Sequence, residues 1–395
     1  MPARKPTFVS LFSGCGGLDL GFLNGGFKGL AAIDIDPLVL EVHQKNLKCP
    51  TQVLDLSLSQ SLDDINFSCD ALIAGSPCQG FSTIGKRRLH DPRNKLLLVT
   101  GQVAKKLRPR LVVAENVPAV ASGKHGKYWR KLHQLLREAG YKTTDLKCDS
   151  FSFGVPQRRK RLFLVAWQSH QEIDFSAMPL REGGSLSSVL VNANACENHE
   201  PTVLTEGTPA RAIALAIQQG QKLSNVRSGC RAVHTWDIPS VFGKTNKDER
   251  RILEEIILLR RRDRVRDYGD ADPIKTRVLF KIFGKGKIQS LVSKGYLRKL
   301  DDCHDLVGTF NGKYRRLRLD EPSPTVDTRF GEPTHFLHPT EHRGFSAREA
   351  ARIQGFPDDF IFQGSHVEQF RMIGNAVPPP MARHLATFLR KSLNL

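Results

Sequence analysis

The sequence predicts an α/β fold, in which a doubly wound, Rossmann-like sheet is joined by a smaller basic domain. Short apolar runs alternate with amphipathic helical stretches over the first 166 residues, and this pattern is typical of parallel strands crossed by helices. A glycine-rich turn follows the first run and an acidic residue ends the second, as in ligand-binding βαβ units. Positive charge is concentrated in residues 211–320, which hold 25 Lys and Arg against 13 Asp and Glu.

Composition limits the partners and the compartment. The chain has 395 residues, of which 40% are apolar, enough for two domains with sizeable cores. Its 59 Lys and Arg against 40 Asp and Glu give a formal charge of +19, which favours a polyanionic partner and most simply nucleic acid. The eight cysteines include no C-x-x-C pair, so we expect a reducing compartment and no metal. Without an apolar run of about 18 residues or a signal peptide, the sequence predicts a cytosolic protein with no membrane partner.

The first βα unit brings a glycine turn to the end of a strand. Residues 7–12 form a short apolar strand, residues 13–17 form the turn, and a helix begins near Leu18. Backbone N–H groups of such a turn approach a ligand closely, and the helix terminus favours a negatively charged group. The alternative is a turn whose glycines serve packing alone.

Acidic residues follow the second and third strands. The strand at residues 30–33 ends in Asp34, where a carboxylate can accept hydrogen bonds from ribose hydroxyls. Asp36 precedes Pro37, so its alternative role is the N-cap of the next helix, and Asp34 is the better ribose candidate. Asp55 ends the third strand and is either a second ligand carboxylate or a turn residue.

A cysteine lies on the loop after the fourth strand. The apolar run 71–74 breaks into Gly, Ser and Pro, which places Cys78 at the carboxyl end of a buried strand. A thiol held there can act as a nucleophile if its pKa is lowered, whereas the alternative is a buried structural cysteine. The basic connection that follows includes Arg87 and Arg88, and we expect it to close over a bound substrate.

An acidic residue and a basic pair mark the next strands. Glu115 follows four apolar residues at 111–114, so it shares the carboxyl edge of the sheet with Cys78. Arg159 and Arg161 come just before the apolar strand 162–166. Because alternate side chains of a strand share one face, the two arginines can form an anion or carbonyl clamp.

The basic region predicts helices followed by a hairpin. Helices are expected at 250–262, near 274–283 and near 288–294, and Asn311-Gly312 between apolar flanks is a strong hairpin signal. This order suits a winged-helix-like reader, with one helix in a major groove and the hairpin, through Arg315 and Arg316, on phosphates. The alternative is a scaffold with a solvated basic surface.

Seven stretches in a fixed order give the chain its resemblance to a known family. It resembles the C5-cytosine DNA methyltransferases of bacterial restriction-modification systems everywhere except in residues 167–320. The stretches are FSGCGG (12–17), the acidic strand end at 34, GSPCQGFS (75–82), ENV (115–117), QRRKR (157–161), REAARIQGFP (348–357) and QFRMIGNAVPPP (369–380).

The resemblance implies a reaction and a set of roles. Cys78 would add to C6 of a flipped-out cytosine, Glu115 would stabilise charge at N3, and Arg159 and Arg161 would match the family's basic pair, with Arg161 contacting the base carbonyl or a flanking phosphate. The methyl donor would be S-adenosylmethionine, leaving S-adenosylhomocysteine. It would be held by Phe12, Ser13, Gly14, Cys15, Gly16, Gly17, Asp34, Ile35, Asp55, Pro77, Leu96, Asn375 and Val377.

The resemblance also implies an organisation and partners. Residues 1–166 and 321–395 would form the S-adenosylmethionine methyltransferase domain, and residues 167–320 the target-recognition domain. The partner would be double-stranded DNA, bound by a monomer that modifies the site of a cognate restriction endonuclease. Two departures concern the cofactor contacts, because Asp34 stands where Glu is usual and Ile35 where an aromatic residue is common.

Three other functions remain open from the sequence. An RNA cytosine methyltransferase would use the same scaffold, although the large basic insert favours DNA. A non-catalytic DNA-binding relative would not need both Cys78 and Glu115. A nicotinamide dehydrogenase fits the glycine turn, but its chemistry does not require Cys78 and Glu115 together.

Overall fold

A computed structural model of the chain describes residues 4–77, 92–123, 126–262, 264–266, 271–310 and 312–395. The predicted site residues Cys78, Arg87 and Arg88 lie outside the described residues. The chain divides into two compact units. The first unit is Met1–His199 with Asp320–Arg329 and Ala347–Leu395, and the second is Glu200–Leu319 with Phe330–Ser346. Residues 167–199 thus pack with the first unit and residues 330–346 with the second.

The described residues form fourteen strands and twelve α-helices. The strands are β1 Thr7–Leu11, β2 Lys28–Asp34, β3 Thr51–Val53, β4 Ala71–Ala74, β5 Leu111–Asn116, β6 Lys142–Asp149, β7 Lys160–Trp167, β8 Lys222–Leu223, β9 Ala232–Val233, β10 Ile274–Lys275, β11 Leu297–Leu300, β12 Cys303–Leu306, β13 Arg315–Arg316 and β14 Phe336–Leu337. The helices are α1 Gly17–Asn24, α2 Pro37–Leu47, α3 Leu96–Leu107, α4 Gly126–Glu138, α5 Pro209–Ala216, α6 Pro239–Phe242, α7 Lys247–Arg262, α8 Thr276–Phe283, α9 Lys285–Ser293, α10 Ala347–Gln354, α11 His366–Asn375 and α12 Pro379–Ser392.

One large sheet organises the first unit. Within the described residues its strand order is β3-β2-β1-β4-β5-β7-β6. Strands β1 to β5 are parallel, whereas β7 runs antiparallel to both β5 and β6. The chain moves outward from β1 to β3 and then returns to start β4 on the other side of β1. The strand order therefore reverses between β1 and β4, which is where open α/β sheets bind ligands.

Helices cover both faces of this sheet, so the predicted doubly wound fold is confirmed. On one face, alternate residues such as Val9 and Leu72 pack with Leu132 and other apolar residues of α3 and α4. On the opposite face, Phe8 and Ile73 pack against residues of α1 and α12. Strands that are buried on both faces explain why the parallel strands appear in the sequence as nearly continuous apolar runs.

The C-terminal helix returns to the start of the fold. Helix α12 packs along α1, with Gly21 of that helix and Gly25, directly after it, at the contact. A Cβ at Gly25 would lie 2.6 Å from the Cβ of Ala386, and one at Gly21 would overlap Ala382. These glycines let the two helices approach closely, which holds the last segment of the chain beside the glycine turn.

Strand β6 was not predicted from the sequence. Its residues, KTTDLKCD, are mostly polar, and most of them are partly or fully exposed. It lies at the edge of the sheet and pairs only with β7 among the described strands. The burial that produces a clear apolar pattern is therefore missing from this strand.

The second unit is built on two apolar clusters of its own. One lies among α7, α8, α9 and the strands β10, β11 and β12, and the other among α5, β8, β9 and the segment around Tyr314. The predicted helices are present at 247–262, 276–283 and 285–293, and Asn246 and Glu249 form the expected capping box at the start of α7.

The predicted hairpin around Asn311-Gly312 is wrong. Strand β12 pairs with β11 and β10, whereas β13 pairs in parallel with β14. Lys313 forms a bridge with Leu223. The N-terminal flank pairs with strands that precede it, and the C-terminal flank pairs with residues distant in sequence, so these pairings override the local turn signal. The hairpin that does form joins β11 to β12 through Asp301-Asp302.

In the described parts of the chain, none of the helices combines the length and the apolar character that crossing a bilayer requires.

Candidate active site

The candidate site lies at the carboxyl edge of the large sheet, where the strand order reverses. Strand β1 leads into the turn at residues 12–17, and β4 leads into Gly75, Ser76 and Pro77. The Gly75 N–H donates to the carbonyl of Leu11, which joins the two exits. The two segments that the sequence singled out most strongly therefore begin side by side.

Three residues of the glycine turn have positive φ. Phe12 and Gly14 have φ of 53°, and Gly16 has φ of 95°. A Cβ at Gly16 would lie 2.6 Å from Cδ2 of His43, so this glycine is required by packing. The Cβ position of Gly14 meets open space instead. Of the turn glycines, Gly14 is therefore the one next to which a ligand has room.

Asp34 fastens the end of β2 to this turn. Its Oδ2 accepts a hydrogen bond from the Gly14 N–H at 2.9 Å, and its Oδ1 accepts one from the Asp36 N–H at 3.1 Å. Burial raises the pKa of the Asp34 carboxyl, and these backbone hydrogen bonds act against that shift. The carboxylate keeps acceptor capacity for a further donor. Asp36 is the N-cap of α2, as the sequence allowed.

The end of α11 closes against the same turn. The thiol of Cys15 lies 3.7 Å from the Met372 carbonyl, and burial raises its pKa to about 12. The Val377 carbonyl packs on Gly17, the first residue of α1. Asn375 is exposed at the last position of α11. The structure thus brings residues 375–377 to the turn at 12–17, although more than 350 residues separate them in the chain.

Gly75 is the meeting point of the turn and the predicted catalytic carboxyl. A Cβ built at Gly75 would lie 3.5 Å from the Phe12 carbonyl oxygen and 4.0 Å from Oε2 of Glu115. Because Gly75 has no side chain, the space between the β1 exit and Glu115 is left free. The residues that follow Gly75 lead directly to Cys78.

Glu115 forms a buried ion pair with Arg161. Arg161 Nε lies 2.8 Å from Glu115 Oε1, and the two side chains are 13% and 10% exposed. Burial raises the pKa of Glu115, while the charges of Arg161 and Arg159 act in the opposite direction. One carboxyl oxygen is therefore held by the arginine, and a carboxyl with a raised pKa keeps its proton more readily than an exposed glutamate.

Asn116 is a functional candidate that residue-by-residue reasoning missed. Its side-chain amide donates to the Ser76 carbonyl at 3.1 Å, and its oxygen accepts the N–H of Val117. Both Asn116 and Ser76 are buried. The end of β5 thus holds the segment that leads to Cys78. The ENV motif was the signal, since it places an amide directly after the predicted catalytic carboxyl.

Arg159 serves a different part of the site from Arg161. It is buried, and its guanidinium donates to the carbonyls of Val326 and Gly374, each at 2.8 Å. It therefore ties the start of β7 to the Thr325-Val326 segment and to α11. The two arginines therefore do not form one clamp: Arg159 donates to backbone carbonyls, whereas Arg161 pairs with Glu115.

The remaining predicted cofactor residues surround the same edge of the sheet. Ile35 is 60% exposed after β2, and Val53, which pairs with Asp34 at the end of β3, is 56% exposed. Asp55 accepts the N–H of Ser57, and hydrogen bonds from Ser57 lower its pKa. That contact supports the turn alternative for Asp55. Other predicted residues are Pro77, which is half-buried, and Leu96, which is half-buried at the first turn of α3.

The two predicted DNA contacts of the second unit differ in exposure. Arg316 is buried, and its guanidinium donates to the carbonyls of Ile217, Ala214, His338 and Glu341. This corrects the expected phosphate contact, since Arg316 organises packing within the second unit. Arg315 is half-buried, and its guanidinium lies over the ring of Phe336.

The described part of the site can perform acid–base chemistry. Among the residues that the structure describes, no cluster of three or more His, Cys, Asp or Glu side chains is arranged to hold a metal ion. What the described residues supply is a carboxyl with a raised pKa, a cation beside it and an open glycine turn. The chain supplies a cysteine three residues after Gly75.

Comparisons with known proteins point to one family. The family model for C-5 cytosine-specific DNA methylases matches residues 6–391. The type II methyltransferase M.AgeI of Thalassovita gelatinovora is 28% identical, over 98% of this chain and 99% of that protein. The type II methyltransferase M.XorII of Xanthomonas oryzae pv. oryzae is 29% identical, over 98% of this chain and 85% of that protein.

Solved structures share the fold. A prophage-encoded methyltransferase from E. coli has a TM-score of 0.60 and 22% identity, covering 99% of this chain and all of that one. The methyltransferase EhMeth of Entamoeba histolytica has a TM-score of 0.57 and 15% identity, covering 99% of each chain. At these identities the likeness establishes the fold alone.

Proposed function

Because the chain belongs to the C-5 cytosine-specific DNA methylase family and is a DNA cytosine methyltransferase, we propose that it methylates C5 of one cytosine within a short duplex site. The methyl donor would be S-adenosylmethionine, and the intermediate would be a covalent adduct of Cys78. The observation that supports this most directly is the buried Glu115–Arg161 pair, which lies beside Gly75 and the segment leading to Cys78.

The carboxyl edge of the sheet fits the proposed methyl donor. S-adenosylmethionine supplies a methyl group on a positively charged sulfur. Gly14 leaves open space at the switch point, and among the described residues no side chain caps the first N–H groups of α1, which suits the donor's carboxylate. Asp34 has acceptor capacity for a ribose hydroxyl, and the exposed Ile35 and Val53 offer apolar surface to a purine.

Glu115 would act on N3 of the cytosine. Electrons that leave the C5–C6 bond accumulate on the ring, and a proton or a short hydrogen bond at N3 stabilises them. A carboxyl whose pKa is raised by burial retains a proton to donate. Arg161 holds Oε1, which leaves Oε2, the oxygen nearer Gly75, for the base.

Cys78 would supply the covalent step. Its thiolate forms a bond from Sγ to C6, and the displaced electron pair makes C5 nucleophilic, so that C5 takes up the methyl group. A base then removes the proton from C5, the C5–C6 double bond reforms, and the sulfur leaves as thiolate. Asn116 would position the segment that leads to Cys78 through its hydrogen bond to the Ser76 carbonyl.

The target base must leave the helix for this chemistry. C5 and C6 are stacked inside duplex DNA, so we propose that the cytosine is flipped into the space beside Gly75. The charge of +19 favours DNA at the protein surface. The type II relatives favour a role as the modification enzyme of a cytoplasmic restriction system.

Trapping on a modified base tests the proposal. Duplex DNA with 5-fluorocytosine at the target position lacks the C5 proton, so the covalent complex persists and migrates as a larger band under denaturing conditions. We expect this band with the wild type and S-adenosylmethionine, and none with Cys78→Ser. The target site is found first by bisulfite sequencing of DNA from cells that express the protein.

Two controls separate the parts of the proposal. Cys230→Ser removes an exposed thiol of the second unit and should leave both trapping and turnover unchanged. Methylated DNA without a trapped band would contradict the covalent step while leaving the methyl transfer intact. Methyl transfer to tRNA in place of duplex DNA would contradict the assignment of the substrate.

A further inference from the structure

The described residues of 247–306 in the second unit pack around one apolar cluster and are here called the 247–306 module. Along the chain it consists of α7, β10, α8, α9 and the hairpin β11–β12. Its three strands pair antiparallel in the order β10-β12-β11. A helix, a strand, two helices and a hairpin in this order, with the first strand beside the last, form the topology of a winged helix.

One apolar cluster organises the module. Within it, α7 packs on α8, α9 and the strands through one continuous cluster that also includes Trp236. The buried members from the module are Ile252, Leu253, Ile256, Ile257, Leu259, Ile274, Leu279, Ile288, Leu291, Tyr296, Leu297 and Leu306. A buried ion pair between Arg260 and Asp305, at 2.7 Å, ties the end of α7 to β12.

Helices α8 and α9 are joined by a single residue. Gly284 ends α8 and precedes α9 with φ of 87°, a conformation that residues with a side chain rarely adopt. Two helices joined by a tight glycine turn and followed by a hairpin match the order of the helix-turn-helix motif in winged helices, whose second helix lies in the major groove when the motif binds DNA. In this module the second helix is α9.

Contacts within the module fix which face of α9 is presented outward. Ile288 and Leu291 are buried in the core. Lys287 pairs with Asp248 and Lys294 pairs with Glu249, both at the start of α7. These contacts occupy two sides of the helix and hold it against α7.

The remaining face of α9 combines a cation, an amide and small residues. Lys285, Gly286, Gln289 and Ser293 are all exposed. The Cβ position of Gly286 meets no atom within 4 Å. Small residues around one amide let a helix approach base edges closely, and Gln forms a bidentate pair with adenine in the major groove.

The charge of this surface matches a polyanion. Between Ile274 and Leu300 the sequence has eight Lys and Arg and no Asp or Glu. Arg277 and Lys281 are exposed one turn apart on α8, next to the Gly284 turn. The tip of the hairpin is acidic, with Asp301 and Asp302, so the favourable surface for phosphates is the one formed by α8 and α9.

We propose that the 247–306 module is a winged helix that determines the methylated sequence, with α9 in the major groove and Gln289 contacting a base edge. Arg277, Lys281 and Lys285 contact phosphates and set the position of the helix. The inference rests on the proposed function only in assigning this contact to the bases around the target cytosine.

The first experiment measures the phosphate contacts without using methylation. Binding of the full chain to a random 30-base-pair duplex is measured by fluorescence anisotropy between 50 and 300 mM salt. The triple variant Arg277→Ala, Lys281→Ala and Lys285→Ala should reduce the slope of log affinity against log salt by about 2 to 3. The matched control Lys105→Ala, Lys131→Ala and Lys391→Ala removes the same charge from the first unit and should leave the slope unchanged.

The second experiment measures the sequence that is read. Sites methylated by the wild type and by Gln289→Ala are compared by bisulfite sequencing of a randomised DNA pool. Loss of a bidentate contact should relax discrimination at one base-pair position by about tenfold or more and leave the other positions unchanged. Gln134→Ala, an exposed glutamine on α4, is the control and should leave the site unchanged.

The outcomes distinguish the module from the reaction. If the wild type methylates DNA but neither variant changes the salt slope or the site, the module does not contact DNA and the inference is overturned. If the wild type methylates no cytosine but the α8–α9 variant lowers the salt slope, the DNA contact of the module is supported, whereas the proposed reaction and the reading of bases around its target fail. Circular dichroism and thermal melting of each variant exclude loss of folding as the cause.

Discussion

Replacement of Glu115 by Gln tests the chemistry of the site with little change of shape. Arg161 Nε lies 2.8 Å from Glu115 Oε1, and both side chains are nearly buried. Gln keeps an oxygen that accepts this hydrogen bond but cannot give a proton to N3 of cytosine. Removal of one partner from a buried ion pair costs about 3–5 kcal/mol. Because Gln leaves the arginine hydrogen-bonded, we expect a loss in unfolding free energy of only about 1–2 kcal/mol.

The loss of activity should be much larger than the loss of stability. General acid catalysis contributes about 10²- to 10⁴-fold, so methyl transfer should fall by that factor when Gln replaces Glu115. The assay is transfer of a tritiated methyl group to duplex DNA at saturating substrates, at a temperature where thermal melting shows both proteins folded. Glu138→Gln, on the exposed side of α4, is the matched control and should be fully active. A Glu115→Gln enzyme within about tenfold of the wild type would refute a proton-donating role.

The pH dependence gives an independent measurement. Burial raises the pKa of Glu115 in the native state above its ordinary value of 4.5, so the native protein retains this proton to a higher pH than the unfolded chain does. The stability that Glu115 contributes is therefore fully present below about pH 4.5 and is lost as the pH rises through the native pKa. Gln does not titrate. The stability difference between wild type and variant should decrease over that range, as denaturant titrations at several pH values would show.

Three further substitutions test contacts that the structure assigns. Asn116→Ala removes the donor to the buried Ser76 carbonyl, so we expect the unfolding free energy to fall by about 1–3 kcal/mol. Cys78 trapping on 5-fluorocytosine DNA should fall by a larger factor. Trapping at the wild-type level would show that this hydrogen bond does not position the cysteine. Gly21→Val forces α1 away from Ala382 and should lower the unfolding free energy, measured by denaturant titration, by about 1–3 kcal/mol or more. Unchanged stability would contradict the close packing of α1 and α12. Arg316→Ala removes a buried guanidinium that donates to four carbonyls and should destabilise the fold by about 2–4 kcal/mol. The salt dependence of DNA binding should stay unchanged. A reduced salt slope in the folded variant would instead support the phosphate contact that the sequence predicted.

The local order of elements was predictable because it depends on short-range patterns. The runs at 71–74 and 111–114 are buried on both faces of a parallel sheet, so every residue in them is apolar and the strand is evident. The N-cap at Asp36 and the capping box of α7 are equally local, since a side chain there bonds to backbone groups two or three residues away. Strand β6 was not predicted because an edge strand with mostly exposed polar residues lacks a pattern of apolar residues.

Local signals failed where distant partners compete with them. The Asn311-Gly312 pair predicts a hairpin, yet Lys313 pairs with Leu223 and β13 pairs with β14, so the segment is held by contacts about 20 to 90 residues away. The basic pair before β7 is divided in the same way. Arg159 meets the carbonyls of Val326 and Gly374, whereas its near neighbour Arg161 meets Glu115. Residue type alone does not distinguish these environments.

The sequence by itself determined the fold class, the family and the identity of the acidic and basic residues at the carboxyl edge of the sheet, because strand periodicity and short motifs record local geometry. Only the tertiary structure decided that Glu115 is paired and buried, that Asn116 holds the segment leading to Cys78, and that residues 375–377 close on the glycine turn. Those facts depend on which strands lie side by side and on how much water each side chain loses. Both are properties of contacts between segments that are remote in the chain, and no short stretch of sequence contains them.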